Sequence, residues 1–222
     1  MPLVHAGKML RIDLTAGRWQ AEEISDDTVQ EYLLGSGLAA KLYYEEMDPA
    51  FGPLEPESPL YVFNGLLAGT FAPTGCRSSW CGRSPLTGIW NEANMGGYWG
   101  AELRFSGYDG LIFTGRAEEP VYLWIDGREG LVELRSAAHV WGKGHYETDE
   151  LLRAETDPKA QVASIGPAGE NGVHFASVMS GVRGHERAAG RGGVGCVMGS
   201  KNLKAIVVRG RQKPKYHDLK AF

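Results

Sequence analysis

Residues 187–204 read Arg187-Ala-Ala-Gly-Arg-Gly-Gly-Val-Gly-Cys-Val-Met-Gly-Ser-Lys-Asn-Leu-Lys204, with five glycines and four cations in one run. Glycine lets the backbone take positive φ and approach a ligand closely. Exposed N–H groups beside arginines bind anions. These residue types suit a loop that cradles phosphate-like oxygens. A tight structural turn carrying solvated cations is the other option. Gly190, Gly192 and Gly195 spell G-x-G-x-x-G, but a dinucleotide fingerprint needs a strand before it, a helix after it and more βαβ chain. Residues 181–186 read as loop and little chain follows. No Gly-Lys-Ser/Thr closes the run, so it is not a phosphate loop of the NTPase type.

Other groups that could do chemistry are sparser. Cys76, Cys81 and Cys196 form no disulfide framework, and three thiols are too few for the four ligands of a usual iron–sulfur cluster. They are expected to be reduced thiols. His5, His139, His145, His174, His185 and His217 show no metal-type spacing. Of these, His185 comes nearest in sequence to the glycine run. Ser78, Ser79 and Ser84 lack a nucleophile elbow. Glu22-Glu23 and Glu45-Glu46 read as solvated surface. Trp80, Trp90, Tyr98 and Trp99 surround a second glycine-rich region, where aromatics either wall a flat ligand or fill a core.

Certain elements must position these groups. Residues 8–14 alternate as a strand, turn at 15–17 and return over 18–24 as a hairpin. Ser25 or Asp26 caps a helix to about Leu34, Gly35 and Gly37 break it, and 38–47 form a second helix. Residues 48–59 are a proline-rich loop and 60–63 a buried strand. Residues 66–100 look irregular, with short extended pieces; a loop-dense stretch of this length is usually functional. A short helix over 98–105 follows. Further strands are expected at 111–113, 121–125, 131–134, 161–165, 173–178 and 205–208, with a helix over 147–155.

The chain also echoes itself. Gly96-Gly97 leads to the strand and exit Gly110-Leu-Ile-Phe-Thr-Gly-Arg116. Gly192-Gly193 leads to Lys204-Ala-Ile-Val-Val-Arg-Gly-Arg211. Two related halves would present two glycine loops to one pseudo-symmetric ligand; glycine punctuation of two unrelated strands would give the same pattern. The 222 residues, 31 of them glycine, make one large domain or two small ones with ample core. A net charge of −4 argues against a general nucleic-acid binder. No run is long enough for a membrane span, and residues 1–8 lack the parts of a signal peptide, so a cytoplasmic location is expected.

Three long motifs then coincide: Gly82-Arg-Ser-Pro-Leu-Thr-Gly88, Asn94-Met-Gly-Gly-Tyr-Trp-Gly-Ala-Glu-Leu-Arg-Phe-Ser-Gly-Tyr-Asp109, and the run from Arg187 to Ile206. In order and separation, and with the opening Gly7-Lys-Met-Leu-Arg-Ile-Asp-Leu-Thr15, they resemble the amino-terminal domain of the aldehyde ferredoxin oxidoreductase family over nearly the whole chain. The resemblance implies an α+β fold of two pseudo-twofold-related, mostly antiparallel sheets with short helices. This would be the base of a site for tungsten or molybdenum held by two pterins. A magnesium ion would bridge the pterin phosphates, touching the Asn94 side chain and the Ala188 carbonyl, both oxygen donors. Gly96, Arg187, Gly190 and Arg191 would contact pterin or phosphate, and Arg77 would stand between pterin and a 4Fe–4S cluster. That cluster and the substrate pocket lie in later domains of the family. Residues 1–210 would then be the cofactor-binding domain and 211–222 a linker toward a downstream domain or larger subunit, with a ferredoxin-type carrier as electron partner and room for a homodimer. No nucleic acid or membrane partner is expected. The expected chemistry is two-electron oxidation of aldehyde-like substrates or its reverse. The alternative is a non-catalytic pterin- or nucleotide-binding module that stores or delivers cofactor.

Overall fold

The computed structural model describes residues 5–216 and 218–221, so His217 lies outside the described residues. The first unit opens with the expected hairpin, β1 (Lys8–Asp13) and β2 (Arg18–Glu23). Ser25 caps α1 (Asp26–Tyr32), its Oγ accepting from Thr28 N–H at 3.1 Å. Then come α2 (Ser36–Glu46), β3 (Leu60–Asn64), β4 (Ser78–Arg83), β5 (Trp90–Met95), α3 (Trp99–Phe105) and β6 (Gly110–Thr114). The second unit has β7 (Val121–Asp126), β8 (Leu131–Ser136), a short 3-10 turn, α4 (His145–Glu155), β9 (Gln161–Ser164), α5 (Pro167–Glu170), β10 (Val178–Ser180), β11 (Arg187–Ala189), α6 (Val194–Ser200) and β12 (Leu203–Arg209).

Each unit folds as a six-stranded sheet, β2-β1-β6-β3-β4-β5 and β8-β7-β12-β9-β10-β11. In both, the opening hairpin pairs in parallel with the last strand of the unit, β1 with β6 and β7 with β12, and every other pairing is antiparallel. Strands β6 and β12 therefore hold equivalent places, and the sequence echo is a true structural repeat. The packing is reciprocal as well: α3 touches β9 while its equivalent, α6, touches β3. Such isologous contact is the mark of twofold symmetry. Equivalent edge strands meet at both seams, β5 with β11 on one side. On the other, Trp19 of β2 donates from Nε1 to the Val132 carbonyl of β8 at 3.0 Å.

Alternation along the strands sorts side chains to two faces. Leu60, Val62, Leu111 and Phe113 point inward with Leu123, Ile125, Ile206 and Val208, sharing one core with α3 and α6. Tyr61, Phe63 and Ile112 point outward under α1 and α2, and Tyr122, Trp124 and Val207 point outward under α4. Trp80 and Trp99 are fully buried, their rings 5.1 Å apart. Trp99 Nε1 donates to the Ile206 carbonyl at 3.1 Å, which ties α3 to the opposite sheet. An unpaired buried N–H would cost about 1–3 kcal/mol.

Several expectations need correction. Residues 66–100 contain a regular hairpin, β4–β5, whose first strand is almost wholly buried on both faces and so shows no alternation. Residues 173–177 turn rather than extend; only Val178–Ser180 is strand, and Gly166 leads into the short helix α5. The glutamates are not merely solvated: Arg11 donates to Glu22 at 2.8 Å and to both oxygens of Glu46, at 2.6 and 2.8 Å, clasping β2 and α2.

Candidate functional site

The glycine run 187–204 is not a continuous loop. It is strand β11, a four-residue connection, helix α6 and the start of β12. A strand–glycine–helix order is thus present, but β11 is an edge strand and β12 lies three places away across β10 and β9 and runs antiparallel to it, unlike a βαβ unit. Most of the glycines serve packing. A Cβ on Gly192, at φ +70°, would fall 1.6 Å from Asn91 Oδ1, and one on Gly193 would fall 2.0 Å from the His174 carbonyl. Gly195 and Gly199 let α6 lie against the Ser177 and Gly169 carbonyls, at 2.4 and 2.0 Å from the added Cβ positions. Gly190 alone stands clear, 3.7 Å from Ala188 Cβ.

The four cations divide likewise. Lys201 and Lys204 are fully buried. Lys201 donates from Nζ to the Pro56 and Gly115 carbonyls at 3.0 and 3.3 Å, and burial pushes its ammonium down to about 8. Lys204 donates to the Lys143 carbonyl at 2.8 Å and pairs closely with the equally buried Glu170; burial lowers it and Glu170 works against that shift. Neither lysine reaches the surface. Arg187 and Arg191 do, and among the described residues neither makes an ion pair.

At the β5–β11 seam lies a cleft of about 670 Å³. Arg77, Asn94, Gly96, Arg187 and Ala188 all line it, joined by the loop from Gly69 to Cys76, by Tyr98 and by His185. Two hollows extend it. One of about 540 Å³ runs past Arg77 and Asn94 toward Leu33, Leu67 and Glu92. The other, of about 250 Å³, runs past Tyr98 and His185 toward Gln161 and Ser180. Gly190 and Arg191 are exposed on the β11–α6 connection and do not line the cleft.

The floor is set by glycine. Gly97 has φ +83°, and a Cβ there would sit 3.1 Å from Arg187 Cγ; Gly96 faces the same stem at 3.7 Å. Arg187 therefore lies across the Gly96-Gly97 corner, its Nη1 donating to the Glu186 carbonyl at 2.6 Å. Asn94 Nδ2 donates to Glu92 at 2.7 Å, and Asn94 Oδ1 accepts from Ser79 at 3.2 Å. Buried Arg104 holds the loop leading to the cleft, donating to the Gly65 and Leu66 carbonyls at 3.1 and 3.2 Å. It is itself held by Asp109 at 2.6 Å. Two of the three described non-glycine residues with positive φ, Leu33 and Thr74, stand on this face. Backbone strain of that kind gathers at functional sites.

A trough with arginines lacking carboxylate partners attracts anions. Backbone and amide oxygens from Ala188 and Asn94 suit a hard cation between such anions. The residues present thus fit a phosphate-bearing, flat cofactor. Among the described residues no three His, Cys, Asp or Glu side chains gather as a metal site. Trp80 and Trp99 are core, Trp90 packs on Tyr43 at 4.9 Å, and only Tyr98 of the aromatic group faces the cleft. Cys76 is half-buried in the wall and Cys81 and Cys196 are buried; all three are free thiols. Sequence reasoning missed Glu92 and the Thr74 loop; Tyr98, read there as either wall or core, and His185, the histidine nearest the glycine run, both stand in the wall. The Gly-Gly-Tyr corner after β5 was the available signal. No helix among the described residues is long and apolar enough to cross a membrane.

Residues 9–210 match the family described as aldehyde ferredoxin oxidoreductase, N-terminal domain. The tungsten-containing aldehyde ferredoxin oxidoreductase of Pyrococcus furiosus is 48% identical over 217 residues, covering 97% of this chain and 35% of that protein. The aliphatic sulfonate oxidoreductase, WOR-like subunit, of the same organism is 33% identical over 220 residues, 34% of its length. Among solved structures, the active-site complex BamBC of benzoyl coenzyme A reductase with 1,5-dienoyl-CoA matches with a TM-score of 0.91 at 42% identity, covering 96% of this chain and 32% of that one. This chain therefore spans about a third of the length of these relatives.

Proposed function

This chain belongs to the aldehyde ferredoxin oxidoreductase family, and from that premise we propose that it is the cofactor-binding base of a tungsten or molybdenum bis-pterin oxidoreductase. The observation that supports this best is the convergence of Arg77, Asn94, Arg187 and Ala188 on one cleft at the seam of two equivalent sheets. The relatives' names add a second support: they span an aldehyde, a sulfonate and a coenzyme A ester, yet all share this third of the chain. A part common to enzymes of different substrates is suited to holding what they have in common, the cofactor.

When bound, the metal with its dithiolenes supplies the two-electron chemistry, and the protein positions and tunes it. Arg187, with Arg191 on the connection after β11, would bring fixed charge to the pterin phosphates, and Arg77 would stand between the pterin and the 4Fe–4S cluster. Gly96 would let the backbone approach from the floor of the cleft, and Gly190 from the connection outside its lining. The Asn94 amide oxygen and the Ala188 carbonyl would be the protein's donors to a magnesium ion at the phosphates. Residues 1–210 are this domain and 211–222 the way to further domains or a larger subunit. Those supply the 4Fe–4S cluster, the substrate pocket and the contact with a ferredoxin-type carrier.

The test is activity against cofactor content. The complete enzyme should oxidise aldehydes with an artificial electron acceptor, while this chain alone should be silent. If the complete enzyme retains tungsten and pterin but transfers no electrons with any aldehyde, sulfonate or coenzyme A ester, a storage or delivery role replaces catalysis.

A further inference from the structure

The turn between β10 and β11 carries His185 and Arg187 to the cleft, and the first two residues of α4 hold it in place. His145 is buried, with Nε2 2.8 Å from the Gly181 carbonyl and Nδ1 2.7 Å from Ser164 Oγ. A carbonyl only accepts, so Nε2 carries the proton and donates; Nδ1 is then free to accept from the serine. Tyr146 donates through a short hydrogen bond to Glu186 Oε1, and that oxygen also accepts from Gly184 N–H at 3.0 Å. The Arg183 guanidinium sits 4.4 Å over the Tyr146 ring.

Glu186 is the carboxylate nearest in sequence to Arg183, His185 and Arg187. A carboxylate beside an arginine is its natural partner, often bidentate. Here Glu186 is turned to Tyr146 and Gly184 instead, and gives Arg187 only its backbone carbonyl, 2.6 Å from Nη1. We propose that Tyr146 is a positioning residue that keeps the Glu186 carboxylate off Arg187, so that the guanidinium stays available to an anionic group in the cleft. Only the identity of that anion as a cofactor phosphate rests on the function proposed above. Without the tyrosine hydroxyl the carboxylate becomes an intramolecular competitor. An exposed ion pair of ordinary strength, occupying Arg187 part of the time, would weaken anion binding roughly three- to tenfold.

Three variants of the full chain test this, Tyr146→Phe, Glu186→Gln and the double variant Tyr146→Phe/Glu186→Gln. One readout is the rate at which phenylglyoxal modifies Arg187, followed by peptide mass spectrometry. The other is inorganic phosphate binding by calorimetry. Tyr146→Phe should slow Arg187 modification roughly three- to tenfold, and the double variant should return to within about twofold of the parent, since it lacks the competing charge. An unchanged rate in Tyr146→Phe would overturn the proposal. So would a double variant that stays slow, because the turn itself would then have moved. Glu186→Gln alone should leave Arg187 at least as reactive as in the parent; a slower rate there would also count against it. If the modification pattern holds while the parent chain binds no phosphate, the cofactor assignment fails and this inference stands. If phosphate binds and Tyr146→Phe changes neither readout, the reverse follows.

Discussion

Asn94 and Ala188 occupy equivalent positions in two copies of one fold. Each is the last residue but one of an edge strand, β5 ending at Met95 and β11 at Ala189. Each faces the neighbouring strand of its own sheet, at Ser79 and Met179 respectively. The seam brings both to one cleft. A ligand held on this pseudo-axis would meet one residue from each half, an amide side chain from the first and a backbone carbonyl from the second.

The glycines of the same run should separate cleanly by variant. Gly192→Ala puts a methyl 1.6 Å from Asn91 Oδ1 at a backbone φ of +70°. Overpacking of that kind costs typically about 1–3 kcal/mol, with the positive φ adding to it. Gly190→Ala meets only ordinary contact at 3.7 Å and should change stability by less than about 0.5 kcal/mol. Urea midpoints of the two variants are the check; equal midpoints would mean the seam is looser than described.

Lys204 and Glu170 make a buried pair that links β12 to α5. Lys204→Ala leaves a buried carboxylate uncompensated and should cost about 3–5 kcal/mol. Lys204→Met with Glu170→Met should recover much of that loss, because apolar replacement of both partners removes the desolvation penalty. A single variant as stable as the parent would show that water reaches the pair.

Much of the fold was legible in the sequence. The alternation of β1 and β2, the Ser25 cap and the Gly-strand-Gly-Arg repeat announced the hairpin, the helix and the duplication. The β4–β5 hairpin was hidden because Ser78-Ser79-Trp80-Cys81-Gly82 carries serine and glycine and is covered on both faces. Helix α6 was hidden because Gly195 and Gly199 lower helix propensity, and packing against α5 overrides it. Lys201 and Lys204 looked like surface cations because lysine is almost never fully buried without partners, and their partners come from distant segments. Of the site, Asn94, Gly96, Arg187 and Ala188 came from family motifs and Arg77 from the resemblance as a whole, and all five converge in space. Glu92 and Tyr98 lie on the same segment as Asn94 and Gly96, while His185 joins them across the seam, which no local pattern announces.

Lys201 gives a pH signature. Its folded value is lowered by burial to about 8, below the ordinary lysine range. Below that pH the ammonium is charged in both states and its desolvation lowers stability. As pH rises past about 8 the folded chain releases the proton first, the unfolded chain holds more protons, and stability should rise with pH until the unfolded lysine also titrates. The difference in urea midpoint between the parent and Lys201→Met, followed from pH 7 upward, isolates this group. A difference that stays flat through this range would contradict the assignment.

The central claim is that the arginines beside the seam hold the cofactor through its phosphates. Truncating a charged partner in a desolvated site costs about 2–5 kcal/mol, or roughly thirty- to several-thousand-fold in affinity. The most direct measurement is tungsten and pterin per folded chain in the complete enzyme carrying Arg187→Ala or Arg191→Ala. Arg211→Ala, on the exit from β12 and outside both the lining of the cleft and the glycine run, is the control. Loss of metal and pterin together in both loop variants, with the fold intact and the control loaded, is the predicted result. Full occupancy in both would mean these arginines are only solvated loop charges.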